Sequence, residues 1–154
     1  MSRVLVSAEG RGKGYAARVV RAAATRQLSR AGASGELSVV VVGDRRMRRL
    51  NRLFRGKDRP TDVLSFPQGG GVIGDVVISL DTARRQAREG GWTLARELRL
   101  LVAHGILHCL GHDHEDQRGA RRMAAAERRL LGGPGMVGVT LAAAKAVSSK
   151  GRLR

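Results

Sequence analysis

The sequence predicts one α+β domain, a small four-stranded sheet packed with about five helices. Three observations predict it. Four short segments are rich in Val, Ile and Leu, as strands are. Five longer segments carry apolar residues at helical spacing. At 154 residues the chain is about one domain long. Such a domain buries on the order of two-thirds of its unfolded surface, enough for one core. The domain is expected over residues 1–131. A basic tail follows over 132–154, disordered or weakly helical around Val137 to Val147, and three of its final five residues are Lys150, Arg152 and Arg154.

Taken in order, Val4-Leu5-Val6 reads as a first strand. A helix is expected from Tyr15 to Arg30, broken by Gly32 and Gly35. Leu37 to Val42 is almost continuously apolar, the pattern of a strand covered on both faces. Asp44 is expected to N-cap a helix from Arg45 to Arg55, with Met47, Leu50, Leu53 and Phe54 at helical spacing and Gly56 as its stop. A polar loop, Gly56 to Asp62, leads to a strand, Val63 to Phe66, ended by Pro67. Gly69-Gly70-Gly71 reads as a hairpin-like turn into a strand over Gly74 to Leu80. Neither GxGxxG nor GxxxxGK[ST] occurs there, which excludes those phosphate-binding loops. Asp81 is expected to cap a short helix ending at Gly90-Gly91. Thr93 is expected to cap a longer one, from Leu94 to Leu110, and a last helix runs from Gln117 to Leu131.

Composition narrows the function. Lys and Arg outnumber Asp and Glu by 29 to 13, a net charge of +16. That excess attracts polyanions, nucleic acid first and an anionic membrane surface second. Many of these arginines sit on helix faces that also read as merely solvated, and charge carries no sequence specificity. With one Trp, one Tyr and two Phe, the core must be aliphatic. A surface of stacked aromatic platforms is disfavoured for the same reason. A lone cysteine, Cys109, allows no intramolecular disulfide and suits a reducing compartment. No apolar run reaches the roughly 18 residues of a membrane span. The stretch Val4 to Val6 is too short for a signal peptide. A cytoplasmic protein without membrane contact is expected.

The strongest signal is His104-Gly105-Ile106-Leu107-His108-Cys109-Leu110-Gly111-His112-Asp113-His114. All four histidines of the chain lie in it. His104 and His108, four apart on a helix, share one face and can grip a single ion. Gly111 is expected to end the helix in a left-handed conformation, so that His114 approaches as a third ligand. His112 follows Gly111 directly and is expected to point away. Three imidazoles and an open position form a catalytic arrangement rather than a closed structural one. Zinc suits it, as do nickel, copper and iron.

The spacing matches the metzincin protease pattern H-E-x-x-H-x-x-G-x-x-H in its histidines and its glycine. The general-base Glu of that pattern is Gly105 here, which disfavours peptide hydrolysis. Glu97, Asp113, Glu115 and Asp116 stand at other positions.

The eleven-residue segment resembles the H-G-x-L-H-L-x-G-[YH]-D-H signature of the YbeY family, bacterial rRNA-maturation endoribonucleases. Asn51 to Pro67 resembles a second signature of that family and Gly74 to Ile78 a third, in the family's order. The likeness covers roughly Leu37 to Leu131. The resemblance implies a small mixed sheet packed with helices and one zinc ion on His104, His108 and His114. It implies that Arg55 matches a functionally important arginine. The implied activity is single-strand-specific RNA cleavage, acting on RNA and not DNA. That activity would serve 16S rRNA 3′-end maturation and ribosome quality control at the small subunit. Protein partners are not implied. The short link from Pro67 to Gly74 and the basic tail depart from the family.

The chemistry of the residues agrees. A guanidinium such as Arg55 can hold a phosphate through paired hydrogen bonds and stabilise charge as the bond breaks. Equally, an arginine at a helix end can simply complement the helix dipole. Lys57 and Arg59 can track a phosphate backbone or solvate their loop. Two other classes stand beside the nuclease: a non-catalytic RNA-binding ribosome-assembly factor, and a zinc peptidase or other small-substrate hydrolase.

Overall fold

The structure, a computed structural model, describes residues 1–112 and 116–132. In chain order the elements are β1 (Ser2–Ala8), α1 (Lys13–Ala31), β2 (Gly35–Val42), α2 (Asp44–Arg55) and β3 (Val63–Pro67). They are followed by β4 (Val72–Ser79), α3 (Leu80–Gly90), α4 (Leu94–Cys109) and α5 (Gln117–Leu131). The four strands form one sheet in the order β1-β2-β4-β3. β1, β2 and β4 run parallel, and β3 pairs antiparallel with β4 at the edge. Connection lengths dictate this mixture. The Gly69–Gly71 turn is short enough for a hairpin between β3 and β4, with the Val72 amide donating to the Gly69 carbonyl at 3.4 Å. Parallel neighbours need a long crossover, supplied by α1 before β2 and by α2 with β3 before β4.

Alternation along the strands separates two layers of packing. Val76 and Ile78 face the main core, shared with α1, α4 and α5. Val77 faces the opposite side and packs with Val42, Met47 and Leu64 beneath α2. The sheet is therefore covered on both sides, as the unbroken apolar run of β2 requires.

The helix caps depart from expectation at two places. Asp44 does not cap α2; it is the first residue of the helix, and Gly43 holds the capping position. The Asp44 amide donates instead to Asp81 Oδ2 at 2.9 Å. Asp81 likewise does not cap α3. Ser79 Oγ does, accepting from the Thr82 amide at 3.3 Å. The Asp44 carboxylate accepts from Ser79 Oγ at 2.7 Å and Thr82 Oγ1 at 2.6 Å, and pairs with Arg85 at 2.7 Å. Two helix starts lie side by side at the ends of adjacent parallel strands, so each supplies acceptors for the other. Thr93 caps α4 as expected, accepting from the Arg96 amide at 3.1 Å. Of the expected tail, 132–154, all but Gly132 lies outside the described residues.

Candidate metal centre

The site is built on the last two turns of α4. This helix is buried along most of its length, from Leu98 to Leu107. The four-residue spacing of His104 and His108 places their rings edge to face, with centroids 4.5 Å apart. Their Nε2 atoms converge to 3.0 Å. Two nitrogens bound to one tetrahedral zinc at ordinary bond lengths stand about 3.3 Å apart. The pair therefore fits one shared ion with little adjustment.

His104 is only 4% exposed, whereas His108 is half-buried. The second nitrogen of His104, Nδ1, lies 3.5 Å from Glu127 Oε1 on α5, and that carboxylate is wholly buried. A carboxylate behind a ligand imidazole holds its ring orientation and favours the proton on the nitrogen that faces it, so that the other nitrogen can present a lone pair to a metal. The sequence reading missed Glu127. A signal was present: Met123, Glu127 and Leu130 share the buried stripe of α5, and an acid on an apolar stripe needs a partner.

Gly111 has φ 92°, the left-handed conformation expected of it. The chain then turns back, and the His112 amide donates to the Leu107 carbonyl at 2.9 Å. His112 is half-buried. The third expected ligand, His114, and the acids Asp113 and Glu115 lie outside the described residues. Among the described residues no group of three or more side chains is gathered for a metal.

Gly105 has a packing reason. A Cβ there would meet Val76 Cγ1 at 2.5 Å. This position presses on the sheet, so a glutamate cannot be accommodated with the helix where it is. Glu97 is also committed elsewhere, accepting from the Trp92 indole at 2.7 Å. Cys109 follows the second histidine. Burial, with the Asp75 carboxylate, pushes its thiol up to about 11, against a smaller opposing hydrogen bond from the Phe66 backbone. A thiol so raised stays protonated at neutral pH and is a poor nucleophile.

Arg55 closes α2 and is exposed. Its helix, α2, packs on the face of the sheet opposite the one that α4 covers. Arg48 and Arg52 engage Asp58, at 2.9 and 4.0 Å. Arg55 makes no hydrogen bond or ion pair with the other described residues. The ends of the two helices meet at β3. Phe54 stacks edge-on against Phe66 at 4.9 Å. The Phe66 carbonyl and Cys109 Sγ both close on Gly74, within 2.7 Å of where a Cβ would stand. Asn51 and Asp62, both within the segment from Asn51 to Pro67, serve the loop between. Asn51 Nδ2 donates to the Arg59 carbonyl at 2.8 Å, and Asp62 Oδ1 accepts from the Val63 amide at 2.8 Å.

Comparison with known proteins adds independent information. The family described as Endoribonuclease YbeY matches residues 8–133. A Myxococcus xanthus protein named endoribonuclease YbeY is 52% identical over 143 residues, 87% of this chain but 48% of its own length. The chain thus spans about half of that relative. A protein of the same name from Anaeromyxobacter is 50% identical over 142 residues, covering 89% of this chain and 74% of the relative. A Thermotoga maritima protein solved in solution superposes with a TM-score of 0.58 at 30% identity, covering 86% of this chain and 90% of the other.

Proposed function

This chain belongs to the YbeY family of endoribonucleases, and on that premise we propose that it is a zinc-dependent, single-strand-specific endoribonuclease. Its substrate in this reading is 16S rRNA on the small ribosomal subunit, cleaved in 3′-end maturation and quality control in the cytoplasm. No helix among the described residues is long and apolar enough to cross a membrane.

The observation that carries the proposal is the convergence of His104 and His108 Nε2 to 3.0 Å. These two, with His114, would hold the ion. When bound there, zinc supplies Lewis-acid stabilisation of the charge that develops as a phosphodiester is cleaved. Glu127 keeps the His104 ring in register through Nδ1. Arg55 binds a phosphate of the strand from the other side of the sheet edge, where its exposed guanidinium offers a fork of donors. Residue 105 contributes no proton acceptor, which separates this site from zinc peptidases. The +16 charge provides general attraction to the RNA backbone.

The test incubates metal-loaded protein with single-stranded rRNA, beside a His108→Ala variant and a chelated control. The expected result is cleavage by the loaded wild type alone. Equal cleavage by all three would identify a contaminating nuclease and overturn the assignment. Tight RNA binding with no cleavage by any of them would favour a non-catalytic assembly factor.

A further inference from the structure

We propose that Phe54 is a stacking platform for one unpaired base of the RNA, placed beside Arg55 at the β3 edge; the inference rests on the endoribonuclease reading.

The chain has only two phenylalanines, and the fold puts them together. Phe66, on the edge strand, packs into the layer beneath α2. Phe54 lies edge-on to it and is 59% exposed. Its ring is braced on one side by Phe66 and open on the other. Leu53 beside it is 74% exposed, extending the apolar surface. A single exposed apolar residue is ordinary. Here, however, residues 52–59 are all exposed, and they carry Arg52, Arg55, Lys57 and Arg59 against one acid, Asp58. Asp58 is already engaged by Arg48.

An apolar partner protein would suit the ring but not the exposed cations that flank it in the chain. A single-stranded nucleic acid suits both, its phosphates facing the cations and a splayed base facing the ring. The location fits the reaction. The Phe54 ring touches Phe66, and the Phe66 backbone meets Cys109, next to His108. A strand laid across the β3 edge can contact the Phe54 and Arg55 side of the sheet and continue to the histidine side. The scarcity of aromatics rules out a row of platforms, and one platform suffices to fix the register of a strand. Duplex RNA keeps its bases stacked on each other and cannot offer one, so the same contact selects for single strands.

The experiment measures KM and kcat on a single-stranded RNA with wild type, Phe54→Leu and Phe54→Trp, using full-length metal-loaded protein. Each is repeated on substrates carrying one abasic nucleotide at successive positions. The expected result is a KM raised about 5- to 100-fold in Phe54→Leu with kcat little changed, restored in Phe54→Trp. In wild type one abasic position, at a fixed distance from the cut, raises KM similarly. In Phe54→Leu that position no longer matters. The salt dependence of KM stays unchanged in Phe54→Leu, because no cation is removed. An unaltered KM in Phe54→Leu, or an abasic effect that persists undiminished in it, would overturn the platform. Failure of the endoribonuclease reading looks different: the wild type itself then cleaves no RNA, and the platform falls with it.

Discussion

Replacing Gly105 by alanine adds one methyl group, and the structure says where it must go. The new Cβ stands 2.5 Å from Val76 Cγ1 and 2.8 Å from Cγ2. Ordinary carbon–carbon contact is about 3.5–4.0 Å, so the surfaces must separate by roughly 1 Å. Neither side yields easily. Val76 is wholly buried and its branched side chain has little rotamer freedom. α4 is held by buried residues on both sides of Gly105. Alanine by itself favours a helix over glycine by about 1 kcal/mol. Overpacking a core costs about 1–3 kcal/mol, and two methyl contacts put this site in the upper part of that range. The net expectation is a loss of about 1–2 kcal/mol, or a melting temperature lower by about 2–8 °C. Urea and thermal denaturation should be run with a chelator present, so that bound metal does not contribute. Val76→Ala should relieve the contact, making the double variant more stable than the sum of the single changes by at least about 0.5 kcal/mol. Gly105→Ala as stable as wild type, or strict additivity in the pair, would refute the close-packing account of this glycine.

Other consequences are testable in the same way. Glu127→Gln should weaken zinc binding about 10- to 100-fold by chelator competition while the fold persists, as expected for loss of a carboxylate behind a ligand histidine; undiminished affinity would remove it from the site. Arg55→Ala should retain full metal content but lose cleavage, and should lower the salt dependence of RNA binding by about one ion. Unchanged cleavage would take Arg55 out of the site. Burial tends to raise the Asp44 carboxyl, but hydrogen bonds from Arg85, Thr82 and Ser79 and the charge of Arg85 outweigh it and hold it below the usual aspartate range. A depressed folded-state pKa gives stability that is fully present above the unfolded value near 3.8 and is lost as pH falls through the folded one. Asp44 is partly exposed, so screening trims the effect, and Asp44→Asn should destabilise by about 0.5–1.5 kcal/mol at pH 7, a difference that shrinks as pH falls below about 3.8. A pH-independent difference would contradict the network.

Much of this was legible in the sequence because the strongest signals are local. Helical spacing together with cap and stop residues located the five helices of the described residues, and the bounds of α5 match at both ends. The His104–His108 pair follows from helix geometry alone, and the open turn at Gly111 from glycine's tolerance of positive φ. What escaped was set by neighbours distant in sequence. Asp44 and Asp81 each look like local caps, and only the juxtaposition of two strand ends makes Asp81 serve the Asp44 amide. Gly105 reads as a missing general base until Val76 shows why no side chain fits. Glu127 reads as one acid among arginines until α5 packs on α4 and brings it to His104. Phe54 reads as one more apolar residue of α2, although the fold leaves it open.

The central claim is that one ion is held by the histidines of this segment. It is tested most directly by native mass spectrometry with elemental analysis, on protein purified without a histidine tag. Wild type, His104→Ala and His108→Ala should be compared after the same zinc loading. The account predicts one zinc ion per wild-type chain and none retained by either variant, with all three folded. Full zinc retention by either variant, or no metal on the wild type after loading, would contradict it.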